Sequence, residues 1–136
     1  MPTAEIYRML EAHPWPGNVD RDVLSRCIDE CFKCAQACTS CADACLSEKD
    51  MVTELRKCIR LNLDCADICE TTGRVLTRQT EYDAPLTKAQ LQACREACAT
   101  CAEECERHDE MEHCSICAEA CRRCQEACDA LLAAMK

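Results

Sequence analysis

The sequence predicts an all-α fold: an antiparallel up-down-up-down four-helix bundle preceded by a short N-terminal helical segment. Three observations carry this. Glycine (2) and proline (4) are scarce in 136 residues, while Ala, Glu, Leu, Lys, Arg and Gln, all good helix formers, are plentiful. Eighteen cysteines recur at steps of three and four, the spacing of one helix face. Four long periodic segments are joined by short breaks, and short connections make helical neighbours antiparallel.

Residues 1–12 have a weak helical pattern in Ile6, Met9 and Leu10, closed by His13-Pro14-Trp15-Pro16-Gly17, a loop by its prolines and glycine. Asn18 or Asp20 is placed to cap a first long helix reaching about Glu48. After a break at Lys49-Asp50, a second helix is expected from Met51 to Thr80, followed by a loop containing Pro85. Thr87 reads as the N-cap of a third helix, Lys88 to Arg107, with Gln90 as its capping-box partner. A turn at His108-Asp109 starts the last helix, Glu110 to Met135. The expected organisation is a single domain, with residues 1–17 as the N-terminal segment and loop and 18–136 as the bundle.

Composition removes several classes. A net charge of −9 offers no basic face for nucleic acid. No apolar run approaches the roughly 18 residues of a membrane span. Met1-Pro2-Thr3-Ala4-Glu5 has neither a basic start nor an apolar stretch, so a cytoplasmic location is expected. In a reducing compartment, clustered cysteines act as metal ligands or redox groups more often than as disulfides.

The cysteines form a grid. The first bundle helix carries Cys27, Cys31, Cys34, Cys38, Cys41 and Cys45; the third, Cys94, Cys98, Cys101 and Cys105; the fourth, Cys114, Cys117, Cys121, Cys124 and Cys128. All occupy core-facing positions that Leu normally fills. The second helix carries Cys58, Cys65 and Cys69, and Asn62 stands where the grid calls for a thiol. A core asparagine needs hydrogen-bond partners or a metal, so Asn62 reads equally as a register-fixing group or an accessory ligand.

Sixteen of the thiols fall into eight C-x-x-x-C pairs, leaving over Cys58 and Cys114. Cβ atoms at i and i+4 lie about 5–6 Å apart, a separation from which two thiolates can close on one ion. A soft monovalent ion of low coordination number suits such a pair, and Cu(I) is the thiolate-seeking choice. Copper also neutralises thiolate charge in a dry core, which couples loading to deprotonation. Zinc needs about four ligands per ion, and nothing in an unbroken stripe groups the thiols into fours. A zinc or mixed soft-metal buffer remains the alternative, as does a disulfide-stapled scaffold, although bridges within one helix strain their geometry. Iron–sulfur ligation lacks its loop motif, and a catalytic cysteine would be one activated thiol rather than many equivalent ones. No catalysis is expected.

The turns 47–51 and 107–111 fall at one end of such a bundle. Met51, His108, Met111 and His113 lie beside them, weaker Cu(I) ligands suited to entry and exit. Equally, the methionines read as bundle-end hydrophobes and the histidines as solvated caps. His13, at the other end, reads as a loop residue. The second helix is apolar on both flanks (Val52, Ile59, Leu63 and Leu61, Ile68, Val75), so the N-terminal segment or another subunit is expected to cover it.

The cysteine stripes at 27–45, 58–69, 94–105 and 114–128, with the Met/His-bearing end, resemble the bacterial copper storage proteins of the cytosolic branch. The resemblance spans roughly residues 19–135. It implies a bundle, often a homotetramer, filled with many Cu(I) ions by thiolates inside it. It further implies metal entry at Met51, His108, Met111 and His113, and Asn62 as an additional contact near that entry. Copper chaperones or cuproenzymes would be the partners.

Overall fold

The computed structural model describes residues 2–15 and 17–135; expectations touching Met1, Pro16 and Lys136 lie outside the described residues. Its five helices are α1 (Pro2–Ala12), α2 (Arg21–Leu46), α3 (Arg56–Thr77), α4 (Ala84–Glu106) and α5 (Glu112–Ala134), with no strand among the described residues. None of these helices is long and apolar enough to cross a membrane.

Asp20 caps α2, its side chain accepting the Val23 N–H at 3.1 Å. Asn18 instead accepts a hydrogen bond from the Tyr82 hydroxyl at 3.4 Å. The second bundle helix starts at Arg56, five residues later than the expected Met51. The chain turns through 51–55 first, a path that places Leu55 fully in the interior with its N–H bonded back to Met51 and Val52. The last helix likewise begins at Glu112, after turns through 107–110.

Thr87 is not a cap. Asp83 caps α4 by accepting the Leu86 N–H at 2.9 Å. The helix begins ahead of Pro85 because proline fits a first turn, where its missing N–H costs nothing. Thr87 sits inside the helix, and Gln90 donates to Thr72 Oγ1 across to α3 at 2.8 Å rather than closing a capping box.

α2 packs against α3 and α5, α4 packs against α3 and α5, and α1 lies on α2. Cross-helix contacts set the register: Cys27 meets Cys128 and Cys41 meets Cys114, while Cys69 meets Cys94 and Cys58 meets Cys105. At the α2–α3 contact, Gly73 has no side chain to hold the Phe32 ring away: a Cβ there would lie 2.8 Å from it. Leu10 of α1 is buried, and Ile6 packs beside it against the core. The N-terminal segment thus covers α2 and leaves Leu63 on α3 exposed, together with Leu86 and Ile116 elsewhere on the bundle.

Candidate metal centre

All eighteen cysteines are free and at most 1% exposed. Leucine-like burial with far less apolar volume leaves the interior lined by sulfur rather than hydrocarbon. Along the helices, Cys34 and Cys38 lie 3.8 Å apart and Cys65 and Cys69 3.7 Å. Most short sulfur contacts, however, cross between helices.

Those crossings bring the thiols together in overlapping sets of four, so the sulfurs form a continuous network rather than separate quartets. Cys31, Cys94, Cys124 and Cys128 form one group; Cys34, Cys65, Cys69 and Cys98 another; Cys38, Cys101, Cys117 and Cys121 a third, with Cys34, Cys38, Cys65 and Cys121 bridging the last two. In the second group, five of the six sulfur separations are 3.5–4.0 Å. A periodicity read on one helix cannot show this, because each group draws on more than one helix and depends on their relative heights.

Asn62 is fully buried among the thiols. Its Oδ1 accepts from Cys101 at 2.9 Å, Cys117 at 3.3 Å and Cys105 at 3.5 Å, and its Nδ2 donates to Cys58 at 3.7 Å. Every recorded partner is a sulfur, none a backbone group, so its amide is aimed at the ligand-bearing space.

The thiols form a continuous S–H···S network, in which Cys34 donates to Cys121 and Cys117 donates to Cys38, each at 3.7 Å. Contacts with Cys121, Cys124, Cys38 and Cys65 hold Cys34 well below the ordinary thiol range. Cys38, engaged with Cys101, Cys117, Cys121 and Cys34, is pushed well above it. Cys27 is lowered to about 5 by Cys128 and Cys31. Thiols that stay neutral spare the metal-free interior a full complement of buried charge.

The two ends differ. Leu24, Leu76, Leu91 and Leu131 are buried beyond Cys27, Cys69, Cys94 and Cys128, closing one end with hydrocarbon. At the other, His113 points Nδ1 at Cys41 (3.5 Å) and Cys114 (3.6 Å) while Nε2 lies 2.9 Å from a Glu48 carboxylate oxygen. Burial lowers the imidazole pKa, but Cys41 and Glu48 outweigh it and the group is raised. Cys41 falls to about 6 through its contacts with Cys105, Cys58 and His113. Desolvation and the neighbouring Cys41 and Cys58 push Cys45 up to about 12. His108 lies in the turn after α4, its Nε2 3.2 Å from the buried Glu104 carboxylate, which also accepts from Arg107. Met51 and Met111 pack, partly buried, against the core cluster.

The sequence profile described as copper storage protein matches residues 20–133. The chain belongs to the copper storage protein family. Its fold superimposes with a TM-score of 0.92 on the copper storage protein Ccsp of Streptomyces lividans loaded with 10 copper equivalents, at 56% identity over 95% of this chain and 98% of that one. A second structure of the cytosolic Streptomyces lividans protein, with five coppers, matches with a TM-score of 0.82 at 60% identity, covering 86% of this chain and 98% of that one. The cysteine-rich protein YhjQ of Bacillus subtilis (strain 168), described as uncharacterized, is 37% identical over 107 residues, 79% of this chain and 94% of that one.

In this copper storage protein the cysteines announce themselves by spacing. Glu48 and Glu104 do not, and sequence reasoning missed both. The available signal was positional: each acidic residue lies within a turn of a break that also carries Met or His.

Proposed function

We propose that this copper storage protein is a high-capacity, reversible Cu(I) store in the cytosol, holding roughly one ion per thiolate and performing no catalysis. The observation that carries the reading is the stack of buried thiol groups with sulfurs 3.5–4.0 Å apart. Low-coordinate Cu(I) bridged by thiolates fits that spacing, and one positive charge per sulfur leaves a nearly neutral core. The copper-loaded Streptomyces lividans relative supports it.

The cross-helix contacts support an antiparallel up-down-up-down bundle of α2–α5 in residues 18–136, with residues 1–17 folded against it as part of one domain. The eighteen cysteines are the ligands. Copper enters at the end bearing His113, Met51, Met111 and His108, with Asn62 contacting metal further in; the leucine-closed end supports a single entry. Exposed Met9, Leu63, Leu86 and Ile116 support assembly as a homotetramer. Copper chaperones or cuproenzymes supply or receive the ion.

Anaerobic titration of the reduced protein with Cu(I) against a chromophoric chelator tests the reading. Saturation near one ion per thiol is expected. Saturation at four or five ions indicates a tetrahedral divalent-metal buffer instead.

A further inference from the structure

The four-ligand group at the open end differs in kind from those below it. Cys41, Cys45, Cys114 and His113 have their ligand atoms all within 4.8 Å of one another. Three cysteines and a histidine are a common donor set for tetrahedral zinc, with Zn–S about 2.3 Å and Zn–N about 2.0 Å. Regular tetrahedral geometry with those bonds requires S···S of about 3.8 Å and S···N of about 3.5 Å. The structure has Cys41···Cys114 at 3.8 Å, Cys45···Cys114 at 4.0 Å, and His113 Nδ1 at 3.5 and 3.6 Å from Cys41 and Cys114. Those four of the six separations are the ones a tetrahedral divalent ion requires.

The outer contact is also in place. Zinc-ligating histidines commonly give their second ring N–H to a carboxylate, which fixes the tautomer and raises ligand basicity. Glu48, 2.9 Å from His113 Nε2, is such a carboxylate. Charge then separates this group from the others. Four thiolates around a divalent ion leave −2 in a dry core, whereas three thiolates and a neutral imidazole leave −1 beside partly exposed His113 and Glu48.

We propose that Cys41, Cys45, Cys114 and His113, oriented by Glu48, form one tetrahedral site for a divalent d10 ion, Zn2+, whose occupation corks the thiol core against Cu(I). On binding, the three sulfurs coordinate as thiolates and release their remaining thiol protons to buffer. His113 gives up any proton on Nδ1 and keeps the one on Nε2 for Glu48. The corking half of the proposal rests on the storage reading and the entry end given above; the binding half does not.

Co2+ added anaerobically to the reduced, copper-free protein is the direct probe. One equivalent is expected to produce the intense visible bands of tetrahedral thiolate-bound cobalt, and one equivalent of Zn2+ to abolish them. His113→Ala should weaken Zn2+ binding at least tenfold, and Glu48→Ala by about 10–100-fold, the usual cost of losing such a partner. His13→Ala, in the loop at the opposite end, should leave cobalt binding as it is. One bound Zn2+ should slow Cu(I) loading at least tenfold, with full capacity restored once zinc is chelated. Octahedral or absent cobalt bands, several equivalents taken up with equal affinity, or a loss in His13→Ala matching that in His113→Ala would overturn the site. Unchanged loading by the zinc form would overturn the cork. A low copper capacity with the cobalt site intact would instead count against storage alone.

Discussion

Asn62 Oδ1 sits 2.9 Å from Cys101 Sγ and receives two further thiols, so a single amide ties α3 to α4 and α5 inside the sulfur core. Removing it leaves thiol protons without their acceptor and opens a small void. Asn62→Ala should destabilise the reduced metal-free protein by about 1–3 kcal/mol in urea unfolding. Copper capacity should stay within about one ion of the parent, since every thiol remains. Asn62→Cys completes the grid and should raise capacity; a fall would remove Asn62 from the ligand space.

The open end sets rate rather than amount. Replacing Met51, His108, Met111 and His113 together should slow Cu(I) uptake in stopped-flow mixing and leave the final stoichiometry nearly unchanged. Equal rates in variant and parent would show that copper reaches the thiols by another route.

At the α2–α3 contact, Gly73→Ala puts a Cβ 2.8 Å from the Phe32 ring, closer than side chains tolerate. Alanine also favours a helix over glycine by about 1 kcal/mol, which offsets part of the strain. Overpacking costs of about 1–3 kcal/mol exceed that gain, so the variant should be less stable by about 1 kcal/mol. Pairing it with Phe32→Leu should recover the loss; a stabilised single variant would mean the ring swings aside freely.

Cys41 titrates near pH 6 in the folded protein against an ordinary 9.0. A folded-state pKa below the unfolded one means the thiolate contributes stability that is fully present above about pH 9. That contribution shrinks as pH falls and is gone below about pH 6. The metal-free protein should therefore gain stability from this group between those limits, and ultraviolet thiolate absorbance should show a step near pH 6 that Cys41→Ser abolishes. A step that survives the substitution belongs to another sulfur.

At the surface, Arg122 holds the Glu106 carboxyl below its usual range by two hydrogen bonds at 2.9 and 3.0 Å. Stability from this pair is present above the ordinary carboxylate pKa and is lost as pH falls through the lowered one. Because the pair is exposed, Arg122→Ala should cost under about 1 kcal/mol at neutral pH in denaturant unfolding. Its curve should converge with the parent's in acid; a gap that persists there points to packing instead.

The helices were legible because burial writes a three-and-four step into a sequence, and here cysteine wrote it plainly at Cys27 to Cys45 and again in α4 and α5. Their ends were less so. Thr87 looked like a cap by residue type, but Asp83 won because proline at 85 suits a first turn, and Gln90 found Thr72 on another helix. Sequence spacing also named every thiol and the odd Asn62 among them. It paired cysteines along each helix, since i and i+4 neighbours are all that one helix can show. How high each helix stands against the next is set by side-chain packing between them, and that alone decided which sulfurs meet across the helices. The same packing carried Glu48, distant in sequence from His113, to its ring nitrogen and gave the two ends of the core their different chemistry.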